Sequence, residues 1–99
     1  MKLHLGKRLL RQVEIKESWW AENRPAAPEL FARELRDMLA YILATPNGGI
    51  GWPTPGRPAL RRILMPRTQN HIFFVVDEKR QTIDVVAIWG AARERSPKL

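Results

Sequence analysis

The sequence contains no cysteine, which excludes a disulfide framework, a thiol nucleophile and a thiolate zinc site. It also lacks any apolar run close to the roughly 18 residues that a membrane-spanning helix needs. The opening stretch, MKLHLGKRLLRQVE, interrupts its apolar positions with charged residues and does not look like a signal peptide. These absences predict a cytoplasmic protein. Its 99 residues are enough for one hydrophobic core, so we expect residues 1–99 to form a single domain.

Acidic residues are scarce relative to basic ones. The chain has 10 Asp and Glu against 17 Lys and Arg, which gives a net charge of +7 at pH 7. A surplus of this size in a small domain favours an anionic partner, such as nucleic acid, an acidic protein or a membrane surface. The alternative is a basic protein whose charge only keeps it soluble.

The first half of the chain carries helical patterns. The alternating stretch MKLHL predicts a short strand, and residues 7–22 then predict a helix. The apolar side of this helix consists of Leu9, Leu10, Val13 and Trp20. Pro25 and Pro28 interrupt the pattern, and residues 28–44 predict a second helix with Pro28 in its first turn. Its apolar stripe consists of Phe31, Leu35, Met38, Leu39, Ile42 and Leu43.

The second half of the chain carries strand patterns. Residues 45–58 contain four glycines and four prolines, and this composition predicts a loop. Three strands are then predicted over residues 59–64, 71–76 and 82–88, with a polar turn at residues 77–81. This order predicts an α+β domain in which an antiparallel helical hairpin packs on one face of a small antiparallel sheet. We expect the other face to be open and rich in arginine.

Four strings in this order resemble one known family. The first helix ends in an aromatic pair before an Asn and a proline-containing turn, WWAENRPAAPELF. A Gly/Pro loop leads into a strand with basic residues, RPALRRILM, and the next strand is apolar and aromatic, HIFFVVD. The last strand ends in an aromatic residue followed by a small residue and arginines, IWGAARERSPKL. Together, over nearly the whole chain, these strings resemble the RelE/ParE superfamily of toxins from type II toxin–antitoxin modules.

The resemblance implies one of two targets. RelE-like toxins cut mRNA on the ribosome with basic residues and a Tyr or His, whereas ParE-like toxins inhibit DNA gyrase without that catalytic set. RNA cleavage by a 2′-hydroxyl needs a base, an acid and cations. The cations available here are Arg57, Arg61, Arg62, Arg67, Arg93 and Arg95.

Proton carriers are the scarce component. Tyr41 falls within the second predicted helix, His4 lies near the N-terminus, and His71 begins a strand. Where ribonuclease members carry a Tyr or His after the last strand, this chain has Trp89 and Gly90, and indole offers an N–H donor without useful proton exchange. The departure favours the ParE-like interpretation, in which the protein is not an enzyme. The alternatives are a RelE-like endoribonuclease, a nucleic-acid-binding module, and a decayed toxin that keeps only antitoxin binding.

The resemblance also implies partners and candidate residues. The expected partners are an acidic antitoxin and DNA gyrase, or the ribosome and mRNA in the alternative, with no cofactor, no metal and no membrane. The candidate residues for partner or target binding are Trp52, Arg57, Arg61, Arg62, Arg67, Trp89, Arg93 and Arg95. The catalytic set of the ribonuclease alternative is His71, Arg61, Arg67 and Arg93.

Several of these residues also have plain structural interpretations. Trp19 and Trp20 are expected to pack between the helices and the sheet. Neighbouring residues on a strand point to opposite faces, so only one of Arg61 and Arg62 can join the open face, and the other is expected to be a solvated charge at the sheet edge. Gly90 is expected to let the chain turn after the last strand.

Overall fold

The computed structural model describes residues 1–92, so the predictions for Arg93 and Arg95 lie outside the described residues. Two helices are followed by the main part of one sheet. The elements are β1 Lys2–Leu5, α1 Lys7–Asn23, α2 Leu30–Ala44, β2 Ile50–Gly51, β3 Arg61–Met65, β4 Asn70–Asp77 and β5 Thr82–Gly90. Within residues 1–92, no helix is long and apolar enough to cross a membrane.

The helices match their sequence patterns closely, apart from the start of α2. The Asn23 side chain donates to the carbonyl oxygen of Trp19 at the end of α1, two residues before the first proline. The second helix begins at Leu30, two residues after its predicted start. The backbone of residues 24–30 forms two tight turns, and the first bond of helical spacing runs from the Arg33 N–H to the Glu29 oxygen. Pro28 therefore lies in the connecting turn.

The sheet is mixed, whereas a purely antiparallel sheet was predicted. Its strand order is β1-β5-β4-β3-β2, and β1 runs parallel to β5 while the other pairs are antiparallel. A parallel neighbour needs a crossover connection, and here the two helices with β2, β3 and β4 separate β1 from β5. The strand β2, which was predicted as part of a loop, pairs with residues Arg61 and Arg62 of β3.

One extra residue in β5 controls which side chains face which side of the sheet. Phe73 pairs with Ala87 but Phe74 pairs with Val85, so Val86 is an additional residue in a β-bulge. Up to Val85 every second side chain faces the helices, and after the bulge this alternation resumes one residue later, at Ile88. Without the bulge, strict alternation would turn Ile88 away from the helices.

The main hydrophobic core lies between the helices and one face of the sheet. Its buried members are Leu9, Phe31, Leu35, Ile42, Met65, Ile72, Phe74, Ile83, Val85 and Ile88. Three residues that were expected to contribute to it are largely exposed: Leu10, Leu43 and Trp19. Trp20, in contrast, packs against the core as predicted.

The other face of the sheet, which we call the outer face, is only partly open. Leu60, Phe73 and Ala87 form a second buried cluster there, with Trp52, Val75, Val86 and Trp89 packed around it. The loop before β3 folds back over this cluster, because the Trp52 N–H donates to the Leu60 oxygen at 2.8 Å. The expectation of an open, arginine-rich face was therefore wrong for the part that this loop covers.

A buried carboxylate joins the helices to the turn between β3 and β4. Glu34 lies on the core side of α2, where it is only 8% exposed. Its carboxylate accepts hydrogen bonds from the Arg67 N–H at 2.6 Å, the Thr68 N–H at 2.9 Å and the Thr68 hydroxyl at 2.7 Å. The Thr68 hydroxyl in turn accepts from the buried Asn70 side chain at 3.0 Å. Three donors stabilise a charge that would otherwise be costly to bury.

Replacing this carboxylate by an amide should destabilise the protein. Glu34→Gln keeps the side-chain size but turns an NH2 group toward one of the N–H donors, and we expect a loss of about 2 kcal/mol in the free energy of unfolding. Asp37→Asn, an exposed acidic residue of the same helix, is the matched control and should change it by less than about 0.5 kcal/mol. Urea unfolding measures both. Equal effects of the two variants would contradict this role of Glu34.

Candidate functional site

The outer face brings together four of the residues that the sequence singled out. Arg62 lies on β3, His71 on β4 and Trp89 on β5, and Trp52 reaches the same cluster from the loop before β3. His71 pairs with Trp89 on one side and Leu64 on the other. This places an imidazole, a guanidinium and two indoles on one surface, which we call the outer-face site.

Arg62 stacks on an indole ring. Its guanidinium carbon lies 3.7 Å from the centre of the Trp52 ring. Such a cation–π contact is worth about 0.5–1 kcal/mol at an exposed position and more where water is excluded. It places the guanidinium against the second cluster, and the stacking contact does not use the N–H groups at the edge of the guanidinium plane.

His71 is positioned so that its neutral form is favoured. Its ring meets the buried Phe73 ring edge-on, with 6.3 Å between the ring centres. Burial lowers the pKa of His71 below its usual value of 6.5, and the nearby positive charge of Arg62 lowers it further. A neutral imidazole beside a guanidinium can accept a proton at pH 7 and can also accept a hydrogen bond from a partner.

Arg61 does not join this site. Its side chain lies on the opposite side of β3 and donates to three backbone oxygens, those of Asn47 at 2.8 Å, Gly48 at 3.1 Å and Gly49 at 3.1 Å. It was expected to be either a target-binding residue or a solvated edge charge. Instead it anchors the segment after α2 to the sheet. Gly49 is required there, since its φ is +72° and an added Cβ would lie 2.4 Å from the Arg62 oxygen.

The two other candidate arginines within residues 1–92 lie in different turns. Arg57 is half-buried in the turn that closes on Thr54, near the outer-face site. Arg67 lies in the turn between β3 and β4, where its backbone binds Glu34. Tyr41 lies on α2, as predicted, and is 47% exposed. Gly90 was expected to let the chain turn after the last strand. Instead it is the last residue of β5 and pairs with Asn70, so any turn comes later than predicted.

Sequence reasoning missed a second basic surface beside α1. Trp19 and Trp20 meet edge-on with ring centres 5.8 Å apart, and the Arg24 guanidinium lies 5.2 Å from the first ring and 5.9 Å from the second. Both tryptophans line a groove of about 630 Å³ that also borders Arg67 and Gly90. The signal for it was the WWAENR string itself, which places a cation four or five residues after two indoles. Among residues 1–92, no group of His, Asp or Glu side chains is arranged to hold a metal ion.

The sequence and the fold give different results when compared with known proteins. Neither a protein-family model nor a curated protein matches the sequence. The fold is similar to that of the isolated E. coli RelE toxin, with a TM-score of 0.57 at 17% identity over 93% of this chain and 85% of that chain. The chromosomal ParDE toxin–antitoxin system from P. aeruginosa gives a TM-score of 0.65 at 17% identity, over 91% of this chain and 95% of that chain.

A third similar structure is the intact E. coli RelBE toxin–antitoxin complex. It gives a TM-score of 0.55 at 18% identity, covering 92% of this chain and 96% of the matched one. At sequence identities this low, the structural similarity shows a shared fold only. The activity has to be inferred from the residues. The RelE/ParE-like fold that the sequence predicted, with two helices packed on one face of a sheet, is confirmed.

The lowered pKa of His71 predicts a loss of stability in weak acid. The unfolded chain takes up the proton near pH 6.5, whereas the folded chain takes it up only at lower pH. The stabilisation from a neutral His71 is therefore complete above pH 6.5 and is lost as the pH falls through the lowered folded-state value. Urea unfolding at pH 7 and at about pH 5.5 should show this loss, and His71→Gln should reduce it. His4→Gln, which leaves His71 in place, should retain this loss of stability. An equal change in the free energy of unfolding between the two pH values in all three proteins would contradict the assignment to His71.

The anchoring role of Arg61 predicts an asymmetry between two Arg→Lys changes. Lysine places its donors at a single point and cannot bind three carbonyls that a planar guanidinium spans. We expect Arg61→Lys to cost about 1–2 kcal/mol of unfolding free energy and to increase hydrogen exchange at residues 47–49. Arg36→Lys on the exposed side of α2 is the control and should be neutral. A neutral Arg61→Lys with unchanged exchange would show that the three bonds do not hold this segment.

Proposed function

We propose that this chain is the toxin of a type II toxin–antitoxin module, that an acidic antitoxin neutralises it, and that it inhibits DNA gyrase by binding without catalysis. The shared fold supports the toxin role, since the similar structures are toxins or toxin–antitoxin systems. The net charge of +7 supports an acidic antitoxin, because complementary charge speeds association and favours the correct partner.

The observation that carries the non-catalytic part is the dispersal of the candidate arginines within residues 1–92. RNA cleavage needs cations gathered around the phosphate together with an acid and a base. Of the candidate catalytic residues, Arg61 faces away and is occupied by three carbonyls. Arg67 lies in the turn that precedes β4 and lines the groove beside α1. Near His71 the described strands offer Arg62, which is stacked on Trp52. This arrangement supports recognition better than phosphate chemistry.

The outer-face site has the composition of a protein-binding surface. Trp52 and Trp89 are partly exposed at the rim of a buried cluster, and Leu64 beside them is 40% exposed. Tryptophan and arginine are the residues most often found at the energetic centres of protein interfaces, especially where an apolar cluster excludes water around them. We therefore assign contact with the target to Trp52, Arg62 and Trp89.

One observation favours the endoribonuclease alternative. Burial and Arg62 keep the imidazole of His71 neutral at pH 7, and a neutral imidazole on the outer face is suited to accept the proton of a 2′-hydroxyl. In that alternative Arg62 would stabilise the phosphate. Among the described strands, the residue opposite His71 is Trp89, and its indole does not supply an acid for the leaving oxygen.

Growth and gyrase assays separate the two functions. Expression of the chain should arrest growth, and the purified protein should inhibit supercoiling by gyrase while cell-free translation continues. Arg62→Glu should weaken gyrase inhibition by about tenfold or more, since it reverses a charge at the centre of the site. The control Arg36→Glu makes the same charge change on α2 and should leave inhibition unchanged.

The two functions predict opposite effects of His71→Ala on growth arrest. Gyrase inhibition requires only the surface, so the variant should still arrest growth, with circular dichroism used to confirm that it is folded. If this variant is folded but harmless, and the unmodified chain stops translation with cut mRNA, the ribonuclease alternative is correct.

A further inference from the structure

The solvent side of α1 is a further surface, which the outer-face site does not use. Ile15, which is 63% exposed, and Trp19, which is 46% exposed, lie one turn apart on it. They border a shallow depression together with Glu14, Ser18 and Glu22. Two large apolar side chains that lie next to each other and are surrounded by charges have the composition of an interaction surface.

The charges on α1 change sign along the helix. Residues 7–11 include three cations, whereas residues 14–23 include three carboxylates and one cation, Lys16. The first turn of α1 contains no acidic residue and its last turn no basic residue. A helix macrodipole is positive at the N-terminus and negative at the C-terminus, so this order places like charges at both ends. The energetics of the helix by itself do not explain the arrangement, which instead favours a neighbouring element of opposite polarity.

This mixed polarity narrows the choice of occupant. Within residues 1–92, the side chains of Arg11, Glu14 and Glu22 form no ion pair. A uniformly acidic segment or a nucleic acid would be repelled by the two glutamates, and a uniformly basic segment would be repelled by Arg11. A matching occupant is a helix that is basic at one end and acidic at the other, with apolar side chains between. The α1 helix of a second copy of this chain has that composition.

Only an antiparallel arrangement of two copies brings unlike charges together. In a parallel pair the two basic halves would lie side by side, whereas an antiparallel pair places each basic half beside the acidic half of the other copy.

The spacing of the residues also fits a two-fold symmetric contact. Ile15 and Trp19 are four residues apart and share one side of the helix. Arg11 precedes this pair by four residues and Glu22 follows it by three, so both lie on that side as well. With a two-fold axis beside residue 17, Ile15 lies next to Trp19 of the second copy. Arg11 then lies next to Glu22 of the second copy, and the symmetry repeats each contact and closes the pair.

The size of the contact and the net charge limit the strength of this pairing. The 17 residues of α1 extend over about 25 Å, so a contact along the helix falls at or below the low end of stable interfaces, which bury about 1,200–2,000 Å². The net charge of +7 on each copy also opposes association. At physiological salt the Debye length is about 8 Å, so this long-range repulsion is screened more than the charges in direct contact. We therefore expect a weak dimer whose population depends on protein concentration.

We propose that α1 is a self-association surface, on which a second copy of this chain packs its own α1 antiparallel to form a two-fold symmetric dimer. Ile15 and Trp19 form the apolar centre, and Arg11 pairs with Glu22 of the second copy at both ends. The outer-face site lies on the other side of the sheet from α1, so it stays exposed in both copies. The inference goes beyond the proposed function and does not depend on it.

Sedimentation equilibrium of the full-length protein tests the dimer. At physiological salt, with protein from the low micromolar to the near-millimolar range, we expect the mass to rise from that of one chain toward that of two. Arg11→Glu and Glu22→Arg should each weaken the dimer by about tenfold or more, since each places like charges at both ends of the contact. Glu17→Arg makes the same charge change as Glu22→Arg on another side of α1, and should leave the dimer unchanged.

A charge exchange separates the pairing from general effects of charge. Mixing the Arg11→Glu protein with the Glu22→Arg protein should restore the dimer, because one chain is then acidic and the other basic at both positions. The double variant Arg11→Glu/Glu22→Arg should also dimerise, since it exchanges the two charges within each chain. Circular dichroism confirms that each variant is folded.

Each other outcome overturns the inference. A mass of one chain at every concentration would show that this surface does not self-associate and would leave it to a different molecule. A dimer that both single charge reversals leave unchanged would place the contact elsewhere on the protein. Failure of the mixture and of the double variant to restore the dimer would show that Arg11 and Glu22 do not pair. A mass that rises beyond two chains would contradict the two-fold arrangement.

Discussion

The β-bulge at Val86 is the constraint on which the arrangement of the sheet depends. Strands have a side-chain period of two residues, so one additional residue exchanges the faces of everything that follows it. Because of this exchange, Ile88 enters the main core and Trp89 joins the outer face opposite His71. The same event therefore completes the hydrophobic core and creates the candidate site. A regular strand of the same composition would bury the tryptophan under the helices and leave an isoleucine outside.

Charged groups in this small domain are used for structure as much as for recognition. Glu34 connects α2 to the turn before β4, and Arg61 connects β3 to the segment after α2. Hydrophobic burial is non-directional and does not fix the relative position of these elements. The hydrogen bonds of Glu34 and Arg61 do, because they have preferred directions. This structural use removes a cation from the candidate site, since an arginine bound to three carbonyls cannot also stabilise a phosphate. The basic composition of the chain thus overstates the number of cations available to a target.

Much of the fold was readable from the sequence for local reasons. The helical stripes, the proline-containing turn and the strand patterns fixed the type and order of the main elements, with boundaries within two residues. Errors arose where the outcome depends on distant parts of the chain. The two-residue strand β2 forms only by pairing with β3. The parallel pairing of β1 with β5 depends on how the whole intervening chain folds. Glu34 occupies a core position of its helix, one turn after Phe31, and its burial depends on donors supplied 33 and 34 residues later.

The sequence by itself determined the α+β class, the basic charge, the absence of thiol chemistry and the placement of only one of Arg61 and Arg62 on the outer face, since each follows from composition or local periodicity. Only the tertiary structure decided which arginine it is, that Trp52 folds back onto Arg62, and that His71 meets Trp89 across two strands. It also decided that Trp19 stays exposed while Trp20 is packed, and so formed the groove beside α1. These outcomes depend on register, on a bulge and on loop closure. All three are set by the free energy of packing distant segments together, which no local pattern contains.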